Sequence, residues 1–329
     1  MKNKLSKILE SKIKIKNKKK KLLSFFNDEV KQRKNNGYEK NKDLDNVVAE
    51  KLNSVDINFK KKFGEIPKSI MKFKKTNKLI NLIDNDQSDM GLKTKKGAGY
   101  NAKQRYSVYN PDQAKFIIEY YTKPNDLILD PFQGRVTRPI ISLYSNRRYI
   151  GFDVCSKTVD YNEKIIHKKL TPEKTDDRYL LIHGDGTKLE NLKKENKIID
   201  AVFTCPPYYN IETYSKEKGD ISYFSFKDFD KSIDDMFIEL SRLIKTSIYG
   251  ERIYPVIITV SSVRKGKKGI IDMDFNFQMS AKKAGFVLYD KLFTENLTPG
   301  AGFTFRRNYV YGYVTKNYET TLVFAKFDN

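Results

Sequence analysis

The chain predicts an α/β fold: a doubly wound, mostly parallel sheet that ends in an antiparallel C-terminal hairpin. Three observations carry that expectation. Short apolar runs alternate with amphipathic stretches across the middle of the chain, the pattern of strands that return through helices. Three of those runs end in an aspartate at a turn, at Asp130, Asp153 and Asp185. The last two runs are separated by a loop with no helical stretch between them, the arrangement of a hairpin.

Taken in order, Ser107-Val108-Tyr109-Asn110-Pro111 leads into a helix over 112–121. Leu127-Ile128-Leu129-Asp130 is a buried strand, and Pro131-Phe132-Gln133-Gly134-Arg135 is the turn after it. Gly134 lets the backbone approach a ligand, and the helix that follows (136–145) presents free N–H groups at its start. A second strand over 149–154 ends at Asp153, where a carboxylate is placed to accept both ribose hydroxyls of a nucleoside. A helix over 156–169 leads to a third strand, 179–184, which ends in Gly184-Asp185-Gly186.

The fourth strand, 198–204, runs into Thr204-Cys205-Pro206-Pro207-Tyr208-Tyr209-Asn210. Two prolines stop a central strand and impose a rigid turn. That turn offers an outward carbonyl at Pro206 and a flat ring at Tyr208, groups suited to holding a planar base by its exocyclic amine. A helix over 227–246 has Phe229, Ile233, Phe237, Leu240 and Leu243 on one face. Then come a fifth strand over 254–260, a helix over 273–284, and hairpin strands over 286–293 and 320–327.

Composition narrows the function classes. Among 329 residues, 63 Lys and Arg oppose 41 Asp and Glu, a net charge of +22, which favours a polyanionic partner. The abundance of Lys, Asn and Ile throughout offers codon bias as a second source of that charge. No apolar run approaches the ~20 residues that span a bilayer, and the lysine-rich start lacks the apolar core of a secretory signal. Two cysteines, Cys155 and Cys205, exclude a disulfide framework and suit a reducing, cytoplasmic setting. With only two histidines besides, no metal site is expected.

Residues 1–60 read as a basic extension, flexible or loosely helical, that tracks phosphates or remains a solvated tail. The domain proper is expected over 61–329. Gly97-Ala98-Gly99 is flanked by lysines and tyrosines, as suits a nucleic-acid backbone. An insert over 295–319 carries Arg306-Arg307 among glycines and aromatics and is a candidate DNA-contact loop, or else a loop packed back on the sheet.

Asp130-Pro131-Phe132-Gln133-Gly134 followed by Thr204-Cys205-Pro206-Pro207-Tyr208 resembles the DNA amino-methyltransferases, which methylate N4 of cytosine or N6 of adenine. From about Phe63 onward the chain looks like the phage-type modification methylases of that family. The resemblance implies a Rossmann-like methyltransferase fold and S-adenosylmethionine as cofactor. Asn110, Asp130 and Gly134 would lie near its methionine part, Asp153 at the ribose and Asp185 at the adenine, with Phe132 and Gly186 also binding the cofactor. It also implies an amine site made of Thr204, Cys205, Pro206, Pro207 and Tyr208, over which Tyr209 could close against nucleic acid; the charge of the insert, and not the resemblance, adds Arg306 and Arg307 as nucleic-acid contacts. The partner would be DNA, double-stranded with the base flipped out or single-stranded.

The chain departs from the family in two places, at three positions. Cys205 stands where the family has Ser, Asp or Asn, and a thiol is a weak acceptor. Arg135 and Val136 replace small residues in the cofactor loop. Two other readings stand beside this one: an RNA or protein N-methyltransferase, and a non-catalytic nucleic-acid-binding protein on the same fold.

Overall fold

The computed structural model describes residues 68–73, 76–83, 108–209, 217, 219–248, 252–264, 269–295, 312 and 317–327. The chain divides into two compact units, Met1–Lys68 and Ser69–Asn329, and the architecture below is that of the second. The calls on residues 1–60, on Gly97-Ala98-Gly99 and on Arg306 and Arg307 lie outside the described residues.

In chain order the elements are β1 (Ile70–Met71), α1 (Asn77–Ile83), α2 (Pro111–Tyr121), β2 (Leu127–Asp130), α3 (Thr137–Tyr144) and β3 (Arg148–Asp153). Next come α4 (Ser156–Lys169), the single turn α5 (Pro172–Thr175), β4 (Tyr179–His183), β5 (Ala201–Thr204) and α6 (Phe226–Leu243). The chain finishes with β6 (Val256–Val260), β7 (Val263–Arg264), β8 (Ile270–Ile271), α7 (Met273–Lys283), β9 (Val287–Glu295) and β10 (Tyr318–Ala325).

Eight strands form one sheet in the order β1-β9-β10-β6-β5-β2-β3-β4. The strands from β4 to β6 pair parallel, and β10 lies antiparallel between β6 and β9. This is the doubly wound, Rossmann-like sheet with a C-terminal hairpin that the alternating pattern predicts. From β2 the chain winds outward one way to β3 and β4, then returns to lay β5 and β6 on the other side. The topological switch point therefore falls between β2 and β5, and ligands of open α/β sheets bind outside the carboxyl ends of the strands at such a point.

Local chemistry explains the element starts. Pro111 occupies the first helical position of α2, and the Asn110 side chain accepts from the N–H groups of Asp112 and Gln113. Ser225 caps α6 in the same way through the N–H of Asp228. The buried face of α6 is Phe229, Ile233, Met236, Phe237, Leu240 and Leu243, the predicted stripe with Met236 added. Phe237 meets Phe277, Phe286 and Phe324 edge-on, which locks α6 and α7 to the hairpin.

The pairing shifts some limits. The ladder at β5 begins at Ala201 rather than 198: Ile199 bridges Ile244 instead, and the Asp200 carboxylate accepts from the Leu127 N–H and pairs with Lys245. The hairpin ladder extends to Glu295 opposite Tyr318 and Glu319 opposite Thr294, so 318 and 319 belong to a strand and not to the insert. The small strand β1, which runs parallel to β9, and helix α1 were not visible as patterns in the sequence.

Candidate active site at the carboxyl edge of the sheet

Asp130 ends β2 fully buried, and its carboxylate binds four donors. One oxygen accepts from the Phe132 N–H (3.1 Å) and the Thr204 hydroxyl (2.7 Å). The other accepts from Arg138 Nε and the Tyr149 hydroxyl, both at 2.7 Å. A carboxylate has about four acceptor sites, so Asp130 is saturated from within. It ties the tip of β2 to that of β5 and forms the floor of the switch point.

Arg138 completes the loop after β2. It is buried, and besides Asp130 it donates to the carbonyls of Phe132 and Gln133. Burial is the largest single influence and works against its charge, but Asp130, Cys205 and Tyr149 together outweigh it and raise its pKa. Gly134 sits at φ +50°, a left-handed conformation that suits glycine, and its N–H donates to Asp153 at 3.1 Å. Arg135, the departure noted in the sequence, lies over the Tyr161 ring at 5.3 Å.

Asp153, at the end of β3, accepts from Gly134 through one oxygen and from the Cys155 N–H (2.8 Å) through the other. Burial pushes its pKa up to about 6, against the opposing pull of those two N–H groups. Asp185 accepts from the Thr187 N–H (2.9 Å) and hydroxyl (2.6 Å) with one oxygen. Its other oxygen stands 3.5 Å from Lys188, and the backbone at Gly219 passes beside it. Gly186 touches the first loop so closely that a Cβ there would lie 1.8 Å from the Pro131 carbonyl oxygen.

The turn after β5 faces these groups. Pro206 is buried, while Cys205, Pro207 and Tyr208 are half-buried. The Tyr208 hydroxyl donates to Glu319 Oε1 at 3.1 Å, with Cys205 Sγ 3.6 Å away from it. Burial pushes the Cys205 thiol up to about 12, and Arg138 offsets this only in part. Tyr109 closes the side of the cluster: its hydroxyl meets Thr259 at 2.9 Å and its ring stands edge-on to Phe203.

The predicted residues thus separate by position. Asp130, Phe132, Gly134, Asp153, Asp185 and Gly186 gather at the ends of β2, β3 and β4, beside Thr204 through Tyr208. Asn110 lies at the start of α2, with its side chain engaged in capping that helix and its Nδ2 3.5 Å from the Phe73 carbonyl. Tyr209 turns the other way from Tyr208: it is buried and meets Phe226 and Phe229 edge-on. Arg138 and Glu319 were missed by sequence reasoning. Only the burial of one and the strand register of the other bring them here. Among the described residues, no group of three His, Cys, Asp or Glu is placed to hold a metal ion, and no helix is long and apolar enough to cross a membrane.

A family model for N6/N4 enzymes, described as DNA methylase, matches residues 3–164. That segment is DNA methylase-like. It includes Asp130, Gly134 and Asp153 and ends before Asp185 and the Pro206-Pro207-Tyr208 turn. A search of curated protein sequences gives no match.

Among solved structures, the chain is similar to an S-adenosylmethionine-dependent methyltransferase from Methanosarcina mazei, at 12% identity and a TM-score of 0.43, over 65% of this chain and 98% of that one. It is also similar to geranyl diphosphate C-methyltransferase from Streptomyces coelicolor A3(2), at 13% identity and a TM-score of 0.43, over 67% and 79%. A protein from Thermus thermophilus, described as a candidate DNA modification methylase, matches at 19% identity and a TM-score of 0.31, over 44% and 51%.

Proposed function

We propose that the protein transfers a methyl group from S-adenosylmethionine to an exocyclic amine of a DNA base, N4 of cytosine or N6 of adenine, as in the phage-type enzymes it resembles. The Asp130–Thr204 hydrogen bond carries this reading. It ties the end of β2, where the glycine loop begins, to the start of the Thr204–Tyr208 turn, which supports reading the proposed cofactor edge and the proposed amine-binding turn as one site.

The donor set fits the cofactor. Each Asp153 oxygen accepts one backbone N–H, which leaves a second acceptor site on each for ribose hydroxyls. Asp185 has an oxygen available for the adenine amine. When bound, S-adenosylmethionine supplies an electrophilic methyl on a sulfonium. The chain's part is alignment: the Pro206 carbonyl and the side chain at 205 accept amine hydrogens, and Tyr208 stacks on the base, flipped out or single-stranded. No metal enters this chemistry. The net charge of +22 supports a DNA partner, with the 1–60 extension, Arg306 and Arg307 as its proposed backbone contacts.

The sign of the Asp153 shift predicts two opposed pH effects. Its pKa is raised from 3.8 to about 6, so its contribution to the stability of the free protein is complete below the lower value and is lost as pH rises through the upper one. Ribose hydroxyls prefer the ionised carboxylate, so cofactor affinity is full above about pH 6 and falls by up to ~tenfold per unit below it. Calorimetry between pH 5 and 8 reads both constants. A flat affinity across that range would remove Asp153 from the cofactor site.

The experiment that tests the proposal compares two turn variants on DNA. Tyr208→Ala should remove base stacking, about 1–3 kcal/mol, while cofactor affinity holds. Cys205→Ser should raise turnover a few-fold, because a hydroxyl accepts better than a thiol. Methylation by Tyr208→Ala at the parental rate would contradict the assigned stacking role.

A further inference from the structure

An amine that receives a methyl group must give up a proton, and the Thr204–Tyr208 turn is poorly equipped to draw it off. Cys205 is a neutral thiol, with burial holding its pKa near 12. Tyr208 and Tyr109 are neutral phenols whose pKa values are raised first by burial. Asp130 is close by, but its four acceptor sites are taken by Phe132, Thr204, Arg138 and Tyr149.

Glu319 is differently placed. It is the second residue of β10, whose start lies beside the carboxyl end of β6, since Thr320 pairs with Val260. The antiparallel hairpin therefore delivers a carboxylate to the same sheet edge as the ends of β2 and β5. Glu319 Oε1 takes the Tyr208 hydroxyl at 3.1 Å, and that hydroxyl lies 3.6 Å from Cys205 Sγ. One phenol uses one of about four acceptor sites, so the carboxylate retains capacity for a further donor.

Building on the proposed methyl transfer, we infer that Glu319 is a catalytic residue, the acceptor of the target amine's proton in place of the weak thiol at 205. In the transfer a carbon–nitrogen bond forms as the donor's carbon–sulfur bond breaks and its electron pair returns to sulfur. The amine's proton passes to the Glu319 carboxylate and from there to water. The hairpin strand thereby supplies the function that a polar side chain before Pro206 would otherwise serve.

Glu319→Gln tests this, because its amide oxygen still accepts from Tyr208 while its basicity is gone. The expected result is a fall in kcat of roughly 100-fold, within the range for loss of a general base. KM for DNA and calorimetric affinity for S-adenosylmethionine should stay within about threefold of the parent, and adding Cys205→Asp should recover at least about tenfold of the lost kcat. Glu319→Asp, which retains the carboxylate, should keep more than about a tenth of parental kcat, and this arm decides the matter if the glutamine variant does not fold. Unchanged kcat in Glu319→Gln overturns the inference, as do parallel losses of kcat, KM and cofactor affinity, or no recovery with Cys205→Asp. A parent protein that methylates no DNA base fails the underlying reading and this inference with it. A parent that methylates while Glu319→Gln keeps pace fails the inference alone.

Discussion

Arg138→Met is expected to destabilise the protein by about 3–5 kcal/mol, the cost of leaving one member of a buried ion pair without the other. Asp130 and Arg138 are 2.7 Å apart and both are almost wholly shielded from water. Methionine fills much of the same space but gives nothing to Asp130 or to the carbonyls of Phe132 and Gln133. Adding Asp130→Asn should recover part of the loss, since it removes the stranded charge while an amide oxygen can still accept from Thr204. Urea unfolding of the parent, both single variants and the double variant reads the coupling directly. A loss below about 1 kcal/mol for Arg138→Met would mean that the pair does not hold the switch point together.

Gly186→Ala should have an effect of similar size by a different route. The new Cβ would sit 1.8 Å from the Pro131 carbonyl oxygen and 2.6 Å from its carbon. Both contacts are backbone, so no rotamer relieves them, and one loop must move by more than an ångström. Ordinary overpacking costs about 1–3 kcal/mol, and a backbone clash of this depth belongs at or above the upper end. The displaced segment includes Asp185 and lies against the loop that holds Gly134. Cofactor affinity should therefore fall by at least about tenfold, in line with a displaced hydrogen-bonding group. Parental affinity and an unchanged unfolding midpoint would show that the two loops are not coupled as described.

Much of the fold was legible because it rests on local signals. Asp130, Asp153 and Asp185 each close an apolar run at a turn, and the structure sets all three at the carboxyl edge. Helix α4 was predicted over 156–169, and the structure gives Ser156–Lys169. Long-range partners were not legible. Asp130 is joined to Thr204 across 74 positions, and no local pattern announces that its acceptor sites are filled from within. Arg135 drew attention as a departure from the family, yet Arg138, three residues on, is the buried cation. Tyr208 and Tyr209 read alike in sequence, but consecutive residues at the turn face opposite ways, one toward Glu319 and the other into the core beneath α6. Glu319 looked like part of an insert because β10 starts two residues before the apolar run becomes obvious.

The central claim is amine methylation of DNA at the β2–β5 switch point. Mass spectrometry of nucleosides digested from unmethylated DNA, after incubation with the protein and S-adenosylmethionine carrying a labelled methyl group, tests it most directly. The account predicts labelled N4-methylcytosine or N6-methyladenine, abolished by Asp153→Ala. Labelled C5-methylcytosine, or label confined to RNA or protein when those are supplied alongside DNA, would contradict it.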